Sequence, residues 1–137
     1  MLNNFLIVLV SVFSFLSSGK TEISSQAKKE SKNVIVYFSG SDWCTICHQF
    51  SGRVIKDEKV SEVIKSNYVY YVADFPQKKK LAKEVASTNE FFADKLNEEG
   101  TFPKFVICDE EFNFIANIPS DATAESALTI LKKYIKE

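Results

Sequence analysis

From residue 33 onward the chain alternates apolar runs with amphipathic stretches, and the alternation orders its elements. Residues 33–38 (NVIVYF) are β-branched and aromatic, apolar on both faces. That is the pattern of a strand covered on both sides, as in a parallel sheet. A polar turn, residues 39–42, follows, and Trp43 and Cys44 lead into a helix predicted over about residues 45–55. Residues 58–66 carry Val60, Val63 and Ile64 at helical spacing. Residues 68–74 (YVYYVAD) form the second strong strand, which Pro76 ends. Residues 78–99 read as mostly helical, with Leu81 and Val85, then Phe92 and Leu96, four apart. Ser87, Thr88 and Asn89 predict a break there, with Asn89 capping the second piece, and Gly100 suits the C-terminal cap. Residues 104–108 and 112–116 are short apolar runs whose separation by Asp109, Glu110 and Glu111 predicts an antiparallel hairpin. Ser120 can cap a final helix reaching about Lys136, with an apolar stripe of Ala124, Ala127, Leu128, Leu131 and Ile135.

The order is strand, helix, strand, helix, strand, strand, helix. A βαβ unit followed by a ββα unit implies an α/β fold, one mixed central sheet flanked by helices on both faces.

The N-terminus has a different pattern. Residues 1–18 hold no charged side chain, and residues 5–16 (FLIVLVSVFSFL) are an apolar run interrupted only by Ser11 and Ser14. A membrane-crossing helix needs about 20 such residues. Twelve fit the apolar region of a secretory signal peptide, and Ser17 and Gly19 suit the small-residue cleavage rule, leaving Lys20 first. The segment before Phe5 lacks Lys and Arg, and an uncleaved anchor or a core helix is the competing account. The expected organisation is therefore a signal peptide over 1–19, an exposed polar lead-in over 20–32 and one domain over 33–137. Such a protein is exported, to a periplasm or beyond.

Composition narrows the function. The 137 residues fit one ordinary domain, expected to be a monomer. Seventeen basic residues nearly cancel eighteen acidic ones, so no electrostatic footprint for nucleic acid exists. Arg53 is the only Arg, which excludes an Arg cluster for phosphate. His48 is the only His and Met1 the only Met.

The candidate chemistry lies at residues 43–48 (WCTICH), between a buried strand and a helix. A thiol at a helix N-terminus faces unpaired backbone N–H groups and the positive end of the macrodipole, and both favour thiolate. Such sites lower a Cys pKa by roughly 1–5 units. Two intervening residues let Cys47 reach Cys44 across one turn, so the pair can close a small reversible disulfide. Cys44, at the helix start, is the natural attacking thiol, and Cys47, one turn deeper, the natural resolving thiol. Trp43 is a candidate substrate platform that also packs over the pair.

These residues carry a resemblance. WCxxC in this element order, with Pro103 opening the third strand in residues 100–103 (GTFP), resembles the thioredoxin superfamily over roughly residues 33–136. Residues 39–47 (SGSDWCTIC) resemble exported bacterial thioredoxin-like thiol–disulfide oxidoreductases. The resemblance implies a cis Phe102–Pro103 bond beside the Cys pair, with the Phe102 backbone binding an extended substrate segment. It implies catalytic Cys44 and Cys47, substrate contacts at Trp43, Phe102 and Pro103, no cofactor and no metal. The implied partners are envelope protein thiols or disulfides and a membrane electron donor or acceptor. Two positions depart from the family. Many thioredoxins carry a buried Asp in the strand before the motif, where Tyr37 or Phe38 falls here. Thr45 and Ile46 match neither the Gly-Pro of thioredoxin nor the Gly-His of disulfide isomerases, which leaves the direction of electron flow open.

Other accounts compete. Residues 44–48 (CTICH) also match the haem attachment motif, with His48 as proximal ligand, but the usual second axial ligand, Met or another His, is missing beyond Met1. Cys44, Cys47, His48 and Cys108 could nominally hold zinc. Adjacent Cys47 and His48 give poor geometry, and Cys108 lies five strand residues past Pro103, roughly 16 Å away. Cys108 therefore reads as a small buried hydrophobe, and residues 78–80 (KKK) as a solvated helix start. A non-catalytic thioredoxin-like binding module with a structural disulfide is the alternative from another functional class.

Overall fold

The computed structural model describes residues 19–137. The expected signal peptide lies outside the described residues except for Gly19. The described chain contains α1 (Gly19–Glu30), β1 (Asn33–Ser39), α2 (Thr45–Phe50), α3 (Glu58–Asn67), β2 (Tyr68–Asp74), α4 (Lys83–Leu96), β3 (Lys104–Cys108), β4 (Phe114–Ile118) and α5 (Ala124–Lys133). Residues Ser51–Ile55 continue α2 as one turn of π-helix.

The sheet order is β2-β1-β3-β4, with β1 parallel to β2 and antiparallel to β3, and β4 antiparallel to β3. β1 is buried at all seven positions, which is why its sequence is apolar on both faces. Its alternation feeds two cores. Ile35 and Tyr37 join Phe50, Val54, Val60, Ile64, Phe105, Ile107 and Leu131 under α2, α3 and α5. Val34, Val36 and Phe38 join Val69, Ala73, Phe92, Leu96, Val106 and Cys108 under α1 and α4. Full burial of such a side chain is worth about 1.5–3 kcal/mol. β1, the strand that feeds both cores with five of these side chains, therefore takes an inner position in the sheet. The mixed sheet with helices on both faces is the predicted architecture.

The polar lead-in expected over 20–32 is instead largely α1, which packs on the domain. Ile23 and Ala27, one turn apart, are its buried residues, Lys20 lies over the Phe91 ring, and Ser24 donates to the Glu110 carbonyl at 2.7 Å. Two apolar side chains in twelve residues are too sparse a stripe to read from sequence.

α4 begins later than expected and does not break. Residues 78–82 are not helical. Asn89 lies within the continuous helix, where its amide donates to the Asp74 carbonyl at 2.8 Å and its carbonyl oxygen accepts from the Tyr71 hydroxyl. Asn89 is an anchor between α4 and β2 rather than a cap, and the Thr88 hydroxyl donates back to the Glu84 carbonyl within the helix. α5 is capped by Thr123 in a capping box with Ser126, not by Ser120, whose carbonyl accepts from the Arg53 guanidinium at 2.8 Å. β4 starts at Phe114, two residues later than expected, because Asp109 gathers the N–H groups of Glu111 and Asn113 and holds the turn open.

Candidate active site

The site grows from the C-terminal ends of two parallel strands. Ser39 of β1 lies opposite Asp74 of β2, so the segments leaving the two strands run side by side. They are then tied together. The Phe75 N–H donates to the Ser39 carbonyl at 2.8 Å, and Asp74 accepts from the Ser41 N–H, also at 2.8 Å, and from the Ser41 hydroxyl. The Asp42 carboxylate accepts from the N–H groups of Gln77 and Lys78 at 2.9 and 2.8 Å. These backbone donors, Gln77 first, hold the Asp42 carboxyl below the usual carboxylate range.

Gly40 is required by close approach. A Cβ there would overlap the Trp43 indole ring. With that space free, the Cys44 N–H closes the turn on the Gly40 carbonyl at 2.8 Å. Cys44 is then the N-cap of α2, in extended geometry, and its Sγ accepts the Cys47 N–H at 3.2 Å. Cys44 and Cys47 are disulfide-bonded, with Cα atoms 5.2 Å apart. Cys44 is 6% exposed and Cys47 1%, so Cys44 is the sulfur nearer to solvent. Both sulfurs that haem attachment would use are engaged in this bond.

Trp43 and Phe102 come together, their rings meeting edge to face at 5.5 Å, and the Phe102–Pro103 bond is cis, as the resemblance implied. Phe102 is half-buried and Pro103 buried. Asn97 positions this loop, its amide donating to the Thr101 carbonyl at 2.9 Å and its carbonyl accepting the Thr101 N–H at 3.0 Å. Phe75 completes the cluster. Its ring meets Phe102 at 5.5 Å and its carbonyl accepts the Trp43 indole N–H at 2.7 Å. Sequence reasoning missed Phe75, Asp42 and Asn97. Phe75 was findable, because residues just past the C-terminal end of a strand neighbouring the motif strand line the same crevice.

Of the two strand residues that replace the family's Asp, Tyr37 faces α2. Its hydroxyl donates to the Cys47 carbonyl at 3.1 Å, and burial raises its pKa above 10.0. Phe38 points into the opposite core. His48 is exposed. Cys108 is fully buried in β3, its Sγ facing the Val34 carbonyl at 3.6 Å, and burial pushes its thiol up to about 12. Among the described residues, no group of three or more His, Cys, Asp or Glu side chains could hold a metal ion.

A Cys pair capping the helix after the central strand, facing a cis-proline loop, places this chain among thioredoxin-like domains. It belongs to the thioredoxin-like domain family, whose model matches residues 22–135. The disulfide bond reductase DsbH of Chlamydia pneumoniae is 25% identical over 97 residues, 71% of this chain but 58% of that protein. The chain therefore spans little more than half of that relative's length. A solved DsbH oxidoreductase structure shares the fold at a TM-score of 0.75 and 21% identity, covering 82% of this chain and 78% of the other. A thioredoxin from Thermus thermophilus does so at 0.60 and 17%, covering 82% and 81%.

Proposed function

We propose that this chain is an exported thiol–disulfide oxidoreductase that reduces disulfides in envelope proteins. The observation that carries the reading is the Cys44 sulfur at the N-cap of α2, accepting the Cys47 N–H and bonded to Cys47. A sulfur in that position has its anionic form stabilised by a backbone donor and the helix dipole.

In the reduced pair, the Cys44 thiolate attacks one sulfur of a substrate disulfide. That S–S bond breaks, a mixed disulfide forms, and the other substrate sulfur leaves as thiolate. Cys47 then attacks the Cys44 sulfur, its proton passing to the departing thiolate. The second substrate sulfur leaves, and the Cys44–Cys47 bond closes. Two electrons have moved from the pair to the substrate. The cysteines carry them without a bound cofactor, and a membrane dithiol donor restores the reduced pair. Trp43, 39% exposed, and the Phe102 backbone beside cis-Pro103 hold the extended segment around the substrate disulfide. The reducing direction is supported by the likeness to a disulfide bond reductase. Export is supported by the charge-free apolar run of residues 5–16.

Trapping tests the chemistry. Cys47→Ser, expressed in a native envelope, should accumulate mixed disulfides through Cys44 that a reductant releases. Absence of any Cys44-linked partner would favour the binding-module alternative. So would a reduction potential for the pair below about −300 mV, the range of structural disulfides.

A further inference from the structure

Residues 78–83 do not open a helix as their lysines suggested. Lys78, Lys79 and Lys80 lie in the irregular segment between β2 and α4, and Lys83 is the first residue of α4. All four are exposed, four cations within six residues on a chain of net charge −1. Glu84 and Asp74 are the acidic groups nearest in sequence, and Asp74 is already engaged by the Ser41 N–H and hydroxyl. The ion pairs among the described residues lie elsewhere, at Lys32, Lys104 and Lys136.

The segment is fixed to the redox turn rather than loose beside it. Asp42 holds the Gln77 and Lys78 N–H groups, and the Trp43 indole holds the Phe75 carbonyl. Both tethers come from the two residues that precede Cys44. Asp42, the carboxylate closest to the lysines along these bonds, is already engaged by backbone donors. Beside Lys79 an open cavity of about 210 Å³ is lined by Phe75, Pro76, Leu81, Asn89 and one carboxylate, Glu90, among others. A cationic rim beside a partly apolar notch, which shares Phe75 with the Trp43 cluster, has the build of a partner contact.

We propose that residues 78–83 are the docking surface for an acidic segment of the disulfide-bearing partner protein, steering its disulfide to Cys44. The inference rests on the oxidoreductase reading above and specifies its partner. Lysine ammonium groups act as mobile point charges without the fixed fork of arginine, so they accept acidic segments of varied geometry. Their main contribution is to the encounter rate, which electrostatic steering raises by about 10- to 1,000-fold at low salt.

The test uses the reduced full chain and two peptide disulfides, identical around the S–S bond but flanked by four Glu or by four Lys. A small uncharged disulfide provides the reference rate. At low salt the acidic peptide should be reduced about tenfold or more faster than the basic one. The two rates should converge near 0.5 M salt, where screening leaves a Debye length of only a few ångströms (about 3 Å at 1 M). The triple variant Lys79→Glu, Lys80→Glu, Lys83→Glu should reverse the preference, and Lys132→Glu with Lys133→Glu on α5 should leave it in place. Equal rates for the two peptides in the wild type, with the small disulfide turned over normally, would overturn the docking proposal alone. Failure to reduce the small disulfide would overturn the redox reading and this proposal with it. Sedimentation with anionic vesicles through the same lysines, without any peptide preference, would assign the patch to a membrane surface and overturn the proposal as well.

Discussion

Cys44 and Cys108 are both nearly enclosed, at 6% and 0% exposed, yet they occupy opposite chemical settings at two regions of one sheet. Around Cys44 the chain has left the strand, and backbone N–H groups converge on side-chain acceptors. The Cys47 N–H points at the Cys44 sulfur, and Gln77 and Lys78 point at Asp42. Around Cys108 the packing is with the apolar core, the adjacent Asp109 adds negative charge, and the thiol donates to the Val34 carbonyl. An N–H donor beside sulfur favours thiolate, whereas a carbonyl and hydrocarbon favour thiol. With its pKa pushed up to about 12, Cys108 holds only about one thiolate in 10⁵ near pH 7. Burial pushes the Cys108 thiol up, whereas at Cys44 a backbone donor and the helix start oppose the effect of burial.

The largest effect should come from exchanging the attacking sulfur. Cys44→Ser should bring disulfide turnover to background, since a serine hydroxyl can neither act as a thiolate nor close the bond to Cys47. Cys108→Ser should keep turnover and lose about 1–3 kcal/mol of stability from a buried hydroxyl, at the lower end because the Val34 carbonyl can accept it. Turnover assays and chemical denaturation of both variants check this pair. Loss of turnover in Cys108→Ser with the fold intact would break the contrast between the two regions.

A core substitution separates stability from chemistry. Phe92 is fully buried beside Cys108 and its ring meets Phe112 at 4.9 Å. Phe92→Ala should cost about 3–5 kcal/mol, while the folded fraction retains disulfide turnover per molecule. Gly40→Ala should show the reverse. Its new Cβ meets the Trp43 ring, which must move, at a cost of about 1–3 kcal/mol. The displaced indole should raise KM for protein disulfides, read against an unchanged Phe92→Ala KM.

The same division explains what was legible before the structure. β1, β2 and the hairpin announced themselves because their hydrophobic periods are dense, and the Cys pair because its spacing carries a mechanism. α1 did not, because burying only Ile23 and Ala27 leaves a sequence that is otherwise polar apart from Gly19. Asn89 misled because its side chain bonds across to β2 instead of to its own helix, a tertiary partner that overrides the capping preference. Phe75 accepts the Trp43 indole N–H on its backbone carbonyl and Asp42 accepts the Gln77 N–H, both across more than thirty positions, and no local pattern encodes such pairings.

Reactivity order gives a finer probe of the two cysteine environments. In the reduced protein Cys44 should alkylate first, Cys47 slowly and Cys108 hardly at all without denaturant. A pH series read by peptide mass spectrometry should show Cys44 labelling well below pH 8.5, the value of a free thiol, because each unit of depression raises the thiolate fraction near neutrality about tenfold. Fastest labelling at Cys47 or Cys108 would reverse the assigned roles.

The smallest expected effect tests the tether between the redox turn and the lysine segment. Asp42 is partly exposed, and its carboxyl is held below the usual range by the Gln77 and Lys78 N–H groups. A carboxyl whose folded pKa is depressed contributes stability above its unfolded pKa, about 3.9, and loses that contribution as pH falls through the lower folded value. Asp42→Asn keeps one carbonyl acceptor and removes the charge. The variant should therefore melt slightly below the wild type near pH 6, and the gap should close as pH drops below about 4. Every other carboxylate titrates in both proteins and cancels in the difference. A gap that stayed constant from pH 6 to pH 3 would mean that the ionised carboxylate is not what holds residues 77 and 78 against the turn. The contrast between a site built from backbone donors and a core built from apolar contacts would then have to rest on Cys44 alone.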